Sequence, residues 1–207
     1  MENGEVVYED ANTKLTLYPD ENSDSPREWD NFGKMVCFHK RYDLPHEAQV
    51  NSDDYSGWSD MEKHLKEDFD AEVILPIYMY DHSGQSISTH YTYPFNDRWD
   101  AGQIGFIYAT KADIMKDYKV KKITDKLKKQ VAEELDDEVK TYNKWMNGEV
   151  VGYVLEERPN WSGFNEKESW TQTNSVWGFY SPADAIADAL ESLPESKRKQ
   201  LKNKIKT

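Results

Sequence analysis

The stretch that decides the fold runs from Thr124 to Glu157, TDKLKKQVAEELDDEVKTYNKWMNGEVVGYVLEE. Leu127, Val131, Leu135, Val139, Tyr142 and Met146 recur at intervals of three or four, the period of one face of an α-helix. Thr124 offers an N-cap hydroxyl and Gly148 the residue best suited to a left-handed stop, so the spacing predicts a helix over 124–147. Lys128 and Lys129 precede Glu133 and Glu134, and Asp136 lies one turn before Lys140, which pairs part of the charged face along the helix. Glu149 to Glu157 then reads as a strand.

Working outward, Gln103–Ala109 and Glu72–Asp81 are further strand-like runs, the second placed at an edge or a bulge by Pro76. Between them, 82–101 reads as a long Ser-, Thr- and Tyr-rich connection, a kind of loop that is uncommon in compact domains and often functional. Thr110–Asp113 caps a short helix. Ser59-Asp60-Met61-Glu62 has the form of a capping box ahead of the apolar stripe Met61, Leu65, Phe69. Two β-prone runs within 5–18 flank the turn residues Asp10-Ala11-Asn12, Lys34–His39 is a short extended run, and 159–173 is a loop bearing Trp161 and Trp170. Asn174–Tyr180 and the helix opened by Ser181-Pro182-Ala183-Asp184 complete the pattern. Strands and helices alternate too irregularly for a doubly wound sheet. The expectation is an α+β fold, a largely antiparallel sheet packed with about four helices, as a single domain over 1–193 followed by a basic tail over 194–207.

The chain has 207 residues with 39 acidic against 26 basic side chains, a net charge of -13. Seven Trp and thirteen Tyr separate it from the aromatic-poor signature of acidic disorder. No run approaches the roughly 20 apolar residues of a membrane helix, and MENGEVVYED is acidic where a secretory signal begins basic. A single cysteine, Cys37, allows no internal disulfide and fits a reducing cytoplasm. Such a charge repels anionic membranes and nucleic acid, so the acidic body is expected to meet neither directly and to suit a protein partner with a basic surface. The tail opposes this field, with Lys197, Arg198, Lys199, Lys202, Lys204 and Lys206 against Glu195 alone.

Three regions carry residues of chemical interest. Asp81, His82, Asp97 and Asp100 border one long connection, where carboxylates and an imidazole suit a metal-assisted hydrolase or nuclease; Asp81–Gly84 is equally a plain turn sequence. In Arg27-Glu28-Trp29-Asp30-Asn31, Arg27 and Asp30 flank Trp29, an arrangement suited either to binding a planar group or to pinning a loop. Cys37 and His39, with Asp43 or His46, are residue types that bind zinc but lack paired-cysteine spacing, and no metal or other cofactor is expected. The absence of GxxxxGK[ST], GxGxxG and GxSxG patterns weighs against nucleotide-dependent and α/β-hydrolase chemistry and favours a binding protein. Trp58, Trp161 and Trp170, in polar text, also suit an assembly interface.

Ser25-Pro26-Arg27-Glu28-Trp29-Asp30-Asn31, Tyr80-Asp81-His82-Ser83-Gly84, Trp99-Asp100-Ala101-Gly102-Gln103-Ile104-Gly105-Phe106-Ile107-Tyr108 and Gly148-Glu149-Val150-Val151-Gly152-Tyr153-Val154 together resemble a family of small acidic, functionally uncharacterised proteins of bacteriophages and mobile elements, over about residues 24–180. The family pattern has Ser where this chain has Ala101. The resemblance implies a life in the bacterial cytoplasm as an accessory protein that inhibits a host, DNA-handling defence protein of the antirestriction or anti-CRISPR kind, acting as a DNA mimic. Asp53, Asp54, Asp60, Glu62, Glu67, Asp68, Asp70 and Glu72 form the densest acidic stretch for such a role, and Glu133, Glu134, Asp136, Asp137 and Glu138 the second.

Overall fold

The computed structural model describes residues 4–48, 50–81, 84–89, 101–158 and 170–199. The fold is α+β, with every strand pairing antiparallel. Among the described residues there are two sheets of four strands each where one was expected, and the contacts divide the chain into two compact units: 1–24 with 148–207, and 25–147.

The unit formed by both ends of the chain holds strands β1 (Glu5–Glu9) and β2 (Thr13–Pro19), with β7 (Val151–Glu157), β8 (Thr171–Phe179) and helix α4 (Pro182–Glu191) from the later sequence, in the order β1-β2-β7-β8. Leu15, Leu17, Tyr153 and Leu155 pack with Ala185, Ala189 and Leu190 of α4. The Asp10-Ala11-Asn12 turn forms for the reason its sequence suggests: Asp10 Oδ1 accepts the amides of Asn12 and Thr13, each at 2.8 Å. The first basic residues of the C-terminal segment belong to this unit. Lys197 donates to Thr13 Oγ1 at 2.9 Å and to Glu157 Oε1 at 2.6 Å, while Arg198 Nη2 donates to the carbonyls of Glu191 and Leu193.

The unit of residues 25–147 orders its strands β3 (Lys34–Cys37), β6 (Ala101–Thr110), β4 (Ala71–Asp81) and β5 (Gln85–Ser88). Helices α1 (Trp58–Asp68), α2 (Lys111–Asp117) and α3 (Asp125–Met146) complete it. Val131, Leu135, Val139 and Tyr142 of α3 bury their stripe against Met35, Ile77, Met79 and Ile107. Alternation along β3 and β6 sends Val36, Phe106 and Tyr108 to the opposite face, against Met61 and Leu65 of α1. Buried on both faces, β6 reads as a near-continuous apolar run. Gly105 within it is demanded by packing, since a Cβ there would lie 2.0 Å from the Val36 carbonyl oxygen of the neighbouring strand.

Local expectations hold where the chemistry is local. Thr124 Oγ1 accepts the Leu127 amide at 3.2 Å, and Gly148 takes the left-handed stop at φ 67°. Thr110 and Asp113 cap α2 reciprocally, and Pro76 lies beside a bulge between Ile77 and Tyr78. Two expectations fail. The Ser59–Glu62 box does not form, because α1 begins two residues earlier with Gly57 as N-cap, and Asp60 accepts the Ser56 amide at 3.1 Å instead. Within the supposed long connection, Gln85–Ser88 is a strand paired to Tyr78–Asp81, with Ile87 buried as its one apolar anchor. Among the described residues no helix is long and apolar enough to cross a membrane.

Asp10 gives this fold a pH signature. Partial burial pushes its carboxyl up, but hydrogen bonds from the Tyr8 hydroxyl and the Asn12 and Thr13 amides, with the charge of Lys197, outweigh that and hold it below the ordinary value of 3.8. A depressed folded value contributes stability above the unfolded value and loses it as pH falls through the folded one, so the loss lies below about pH 4. Asp10→Asn should be less stable than the parent at pH 7 in denaturant unfolding, with the gap narrowing by pH 3. An equal gap at both pH values would show that the carboxylate charge is not its source.

Candidate functional site

At one end of the sheet of the 25–147 unit, the ends of β3 and β4, the start of β6 and residues from 38–46 and 50–52 line an open groove of about 1000 Å³. Its lining includes the aromatic rings of Phe38, Tyr42 and Trp58 and the apolar side chains of Met79 and Ile104. Phe38 is placed by continuation of the strand register, its amide donating to the Ile104 carbonyl at 2.8 Å. Trp58, expected as an exposed loop residue, instead opens α1 and sets its ring edge-on to Phe106 at 5.9 Å. The His39 ring stacks on Tyr42 at 4.7 Å and 13°. Its Nδ1 accepts the Arg41 amide at 3.3 Å, which leaves the tautomeric hydrogen on Nε2.

Asp81 is the one residue of the proposed Asp81, His82, Asp97, Asp100 constellation within the described structure; the other three lie outside the described residues. Both of its oxygens are committed, Oδ2 to Arg41 Nη2 at 2.6 Å and Oδ1 to the Tyr42 hydroxyl at 2.8 Å. The Cys37, His39, Asp43, His46 set does not converge on an ion. β3 ends at Cys37, so His39 is off the strand, and both His46 ring nitrogens face backbone carbonyls, of Cys37 at 3.3 Å and Val50 at 2.9 Å. Burial pushes the Cys37 thiol up to about 12, the opposite of an activated nucleophile. Among the described residues no three His, Cys, Asp or Glu side chains are grouped to hold a metal.

Arg27 is a structural node. Only 7% exposed, its guanidinium spends four N–H groups on Glu47 Oε1 (2.9 Å), Glu47 Oε2 (2.8 Å), Glu138 Oε2 (2.8 Å) and the Gly33 carbonyl (2.6 Å). The acids are themselves tied to backbone, Glu138 Oε1 accepting the Phe32 and Gly33 amides and Glu47 Oε2 that of Met35. Arg27 therefore pins its loop as one sequence reading had it, but through Glu47 and Glu138 and not Asp30. Trp29 is 52% exposed and does not anchor that loop in the core.

The two acidic stretches differ once folded. Along α1, Glu62 pairs with Lys66 at 2.5 Å, Glu67 with Lys63 at 3.9 Å and Asp68 with His64 at 2.6 Å, while Glu72 meets Lys128 at 2.5 Å. Asp53 and Asp54 form an exposed turn beside them, and Asp70 closes the α1–β4 corner with φ 51°. On α3, Asp137 pairs with Lys140 at 2.8 Å and Asp136 with the same lysine at 2.7 Å. Glu133, Glu134 and Asp137 nevertheless converge with Asp117 around Tyr118 in a shallow depression of about 530 Å³. Tyr118 donates to Glu134, and burial, that bond and the nearby charges of Glu134 and Asp117 push its phenol up to about 12. Sequence reasoning missed the groove's rim; the signal available was Lys40-Arg41 between Phe38 and Tyr42 in an otherwise acidic chain.

No protein-family model matches the sequence, no curated protein matches it, and no solved structure matches the fold.

Removing the buried guanidinium leaves the largely buried Glu138 without its counterion and frees the loop, so Arg27→Ala should destabilise the protein by about 3 kcal/mol in denaturant unfolding. Arg27→Lys should recover less than half of that, because a single ammonium cannot reproduce the fork. Wild-type stability in Arg27→Ala would reverse the assignment and return Arg27 to the binding residues.

Proposed function

We propose that this chain is a non-enzymatic accessory protein that binds and blocks a host protein through acidic and aromatic surface, the partner presenting a basic face. The observation that carries the reading is the depression on α2 and α3, where Asp117, Glu133, Glu134 and Asp137 surround Tyr118. Four carboxylates around one aromatic ring suit a lysine- or arginine-rich surface, with the ring adding contact area that a purely ionic patch lacks. The α1 stretch supports the reading less, since Glu62, Glu67 and Asp68 are each paired within their own helix. There Asp53 and Asp54 remain as an exposed acidic turn. The phage or mobile-element context, the cytoplasm of a bacterial host and a DNA-handling defence enzyme as the partner rest on the sequence resemblance. Mimicry of a duplex is the finer form of the same proposal, in which the acids occupy a groove that otherwise holds phosphates.

Tagged protein incubated with defence-bearing bacterial lysate should capture a protein at low salt and release it toward 1 M salt, where screening shortens the Debye length from about 10 Å to about 3 Å. The triple variant Glu133→Gln, Glu134→Gln, Asp137→Asn should lose that capture, and added duplex DNA should compete for the captured protein. Capture indifferent to salt and to the triple variant would reject the acidic surface as the binding element. Loss in the variant without competition by DNA would keep the basic partner and reject mimicry.

A further inference from the structure

The groove at the ends of β3, β4 and β6 is not used by the acidic-surface reading, and its chemistry differs from the rest of the molecule. We propose that it binds a planar aromatic anion of nucleoside monophosphate size, the anionic group resting on the His39-Lys40-Arg41 rim and the ring against the aromatic wall. Its volume of about 1000 Å³ falls at the upper end of the range of small-ligand sites, roughly 300 to 1,000 Å³. A pocket with aromatic walls, an apolar floor and a few polar groups at the mouth favours a flat ring carrying a polar substituent.

The argument for an anion comes from which hydrogen-bonding capacity is already spent. Both Asp81 oxygens are taken by Arg41 and Tyr42. Gln103 Nε2 donates to the Gly105 carbonyl, and the His46 nitrogens face carbonyls. Among the described residues the mouth retains donors on His39, Lys40 and Arg41. His39 keeps its Nε2–H, because Nδ1 is the acceptor of the Arg41 amide. Arg41 is 71% exposed and commits only Nη2 to Asp81, leaving Nε and Nη1 for a second acceptor. Lys40 is exposed on the same rim. Asp43 is a further acid among the described rim residues, and it suits the exocyclic amine of a base. Among the described residues at the mouth, Lys40 and Arg41 balance Asp43 and Asp81, which makes a locally neutral rim in a chain of net charge -13. Gly102 borders the groove, and nothing lies within 4 Å of the place its Cβ would take, so that position has room for a side chain.

The test is calorimetric titration of the full chain with adenosine monophosphate, set beside adenosine and inorganic phosphate. Binding with Kd below about 1 mM is expected for the nucleotide, and at least about tenfold weaker binding for each fragment, because ring and anion are held by different parts of the site. Lys40→Ala with Arg41→Ala should weaken the nucleotide about tenfold or more. Gly102→Leu should abolish binding at an unchanged melting temperature. Should Gly102→Leu lower the melting temperature, the deciding variant becomes Lys40→Glu with Arg41→Glu, which reverses the rim charge at exposed positions. No heat from the nucleotide at 1 mM, or affinity unchanged in the rim variants, overturns the proposal; binding of phosphate as tight as the nucleotide overturns the aromatic half of it. The α3 triple variant should keep nucleotide binding, so the two proposals fail separately.

Discussion

A guanidinium held between two carboxylates organises the 25–147 unit. Arg27 lies in the loop before β3, Glu47 in the segment after it and Glu138 in the middle of α3, and the single cation joins all three. Desolvating a charge is costly unless it is paired and hydrogen-bonded, and four of the five Arg27 N–H groups are met by partners on the loop, the segment after β3 and the helix. The acids extend the tie into the backbone through the Phe32, Gly33 and Met35 amides. Gly33 fits under α3 because a Cβ there would lie 2.5 Å from Leu135 Cδ2. Fixing β3 in this way also fixes Cys37 and Phe38, from which the segment that borders the groove departs.

How much of this could be read in the sequence follows from how local each interaction is. The α3 stripe, its Thr124 cap and its Gly148 stop depend on residues a few positions apart, and all three appear as expected. The Asp10 turn and the Thr110–Asp113 box are local in the same sense. The Arg27 node was half legible: a loop-pinning arginine could be proposed, but its partners lie 20 and 111 residues away, whereas Asp30 was merely adjacent. Proximity in sequence suggested the wrong acid. Two sheets in place of one is the same lesson at larger scale, since nothing in the strand pattern says that β2 pairs with β7 across more than 130 residues.

The groove was illegible for a related reason. Its lining comes from 37–44, His46, 50–52, Trp58, Met79, Asp81 and 101–104, and no one of these segments reads as a site alone. Asp81 drew notice as a strand-end acid beside a histidine, and the strand end does border the groove. Its carboxylate, however, serves to hold Arg41 and Tyr42 in place. Position was therefore recoverable from the sequence and role was not, because role depends on which lone pairs are already occupied.

The same distinction governs the acidic surface. Net charge counts residues, while a binding field depends on where unneutralised charge accumulates. Along α1 the acids stand four residues from Lys63, His64 and Lys66, and the helix period that makes them a dense stretch in sequence also delivers their counterions. On α3 the lysines nearest in sequence to Glu133 and Glu134 precede them, and Lys128 is drawn off to Glu72. Glu133 and Glu134 instead face Asp117 and Tyr118 across the α2–α3 corner. The shorter acidic stretch is thus the less neutralised of the two, because among the described residues neither Glu133 nor Glu134 forms an ion pair, whereas Glu62, Glu67 and Asp68 each do.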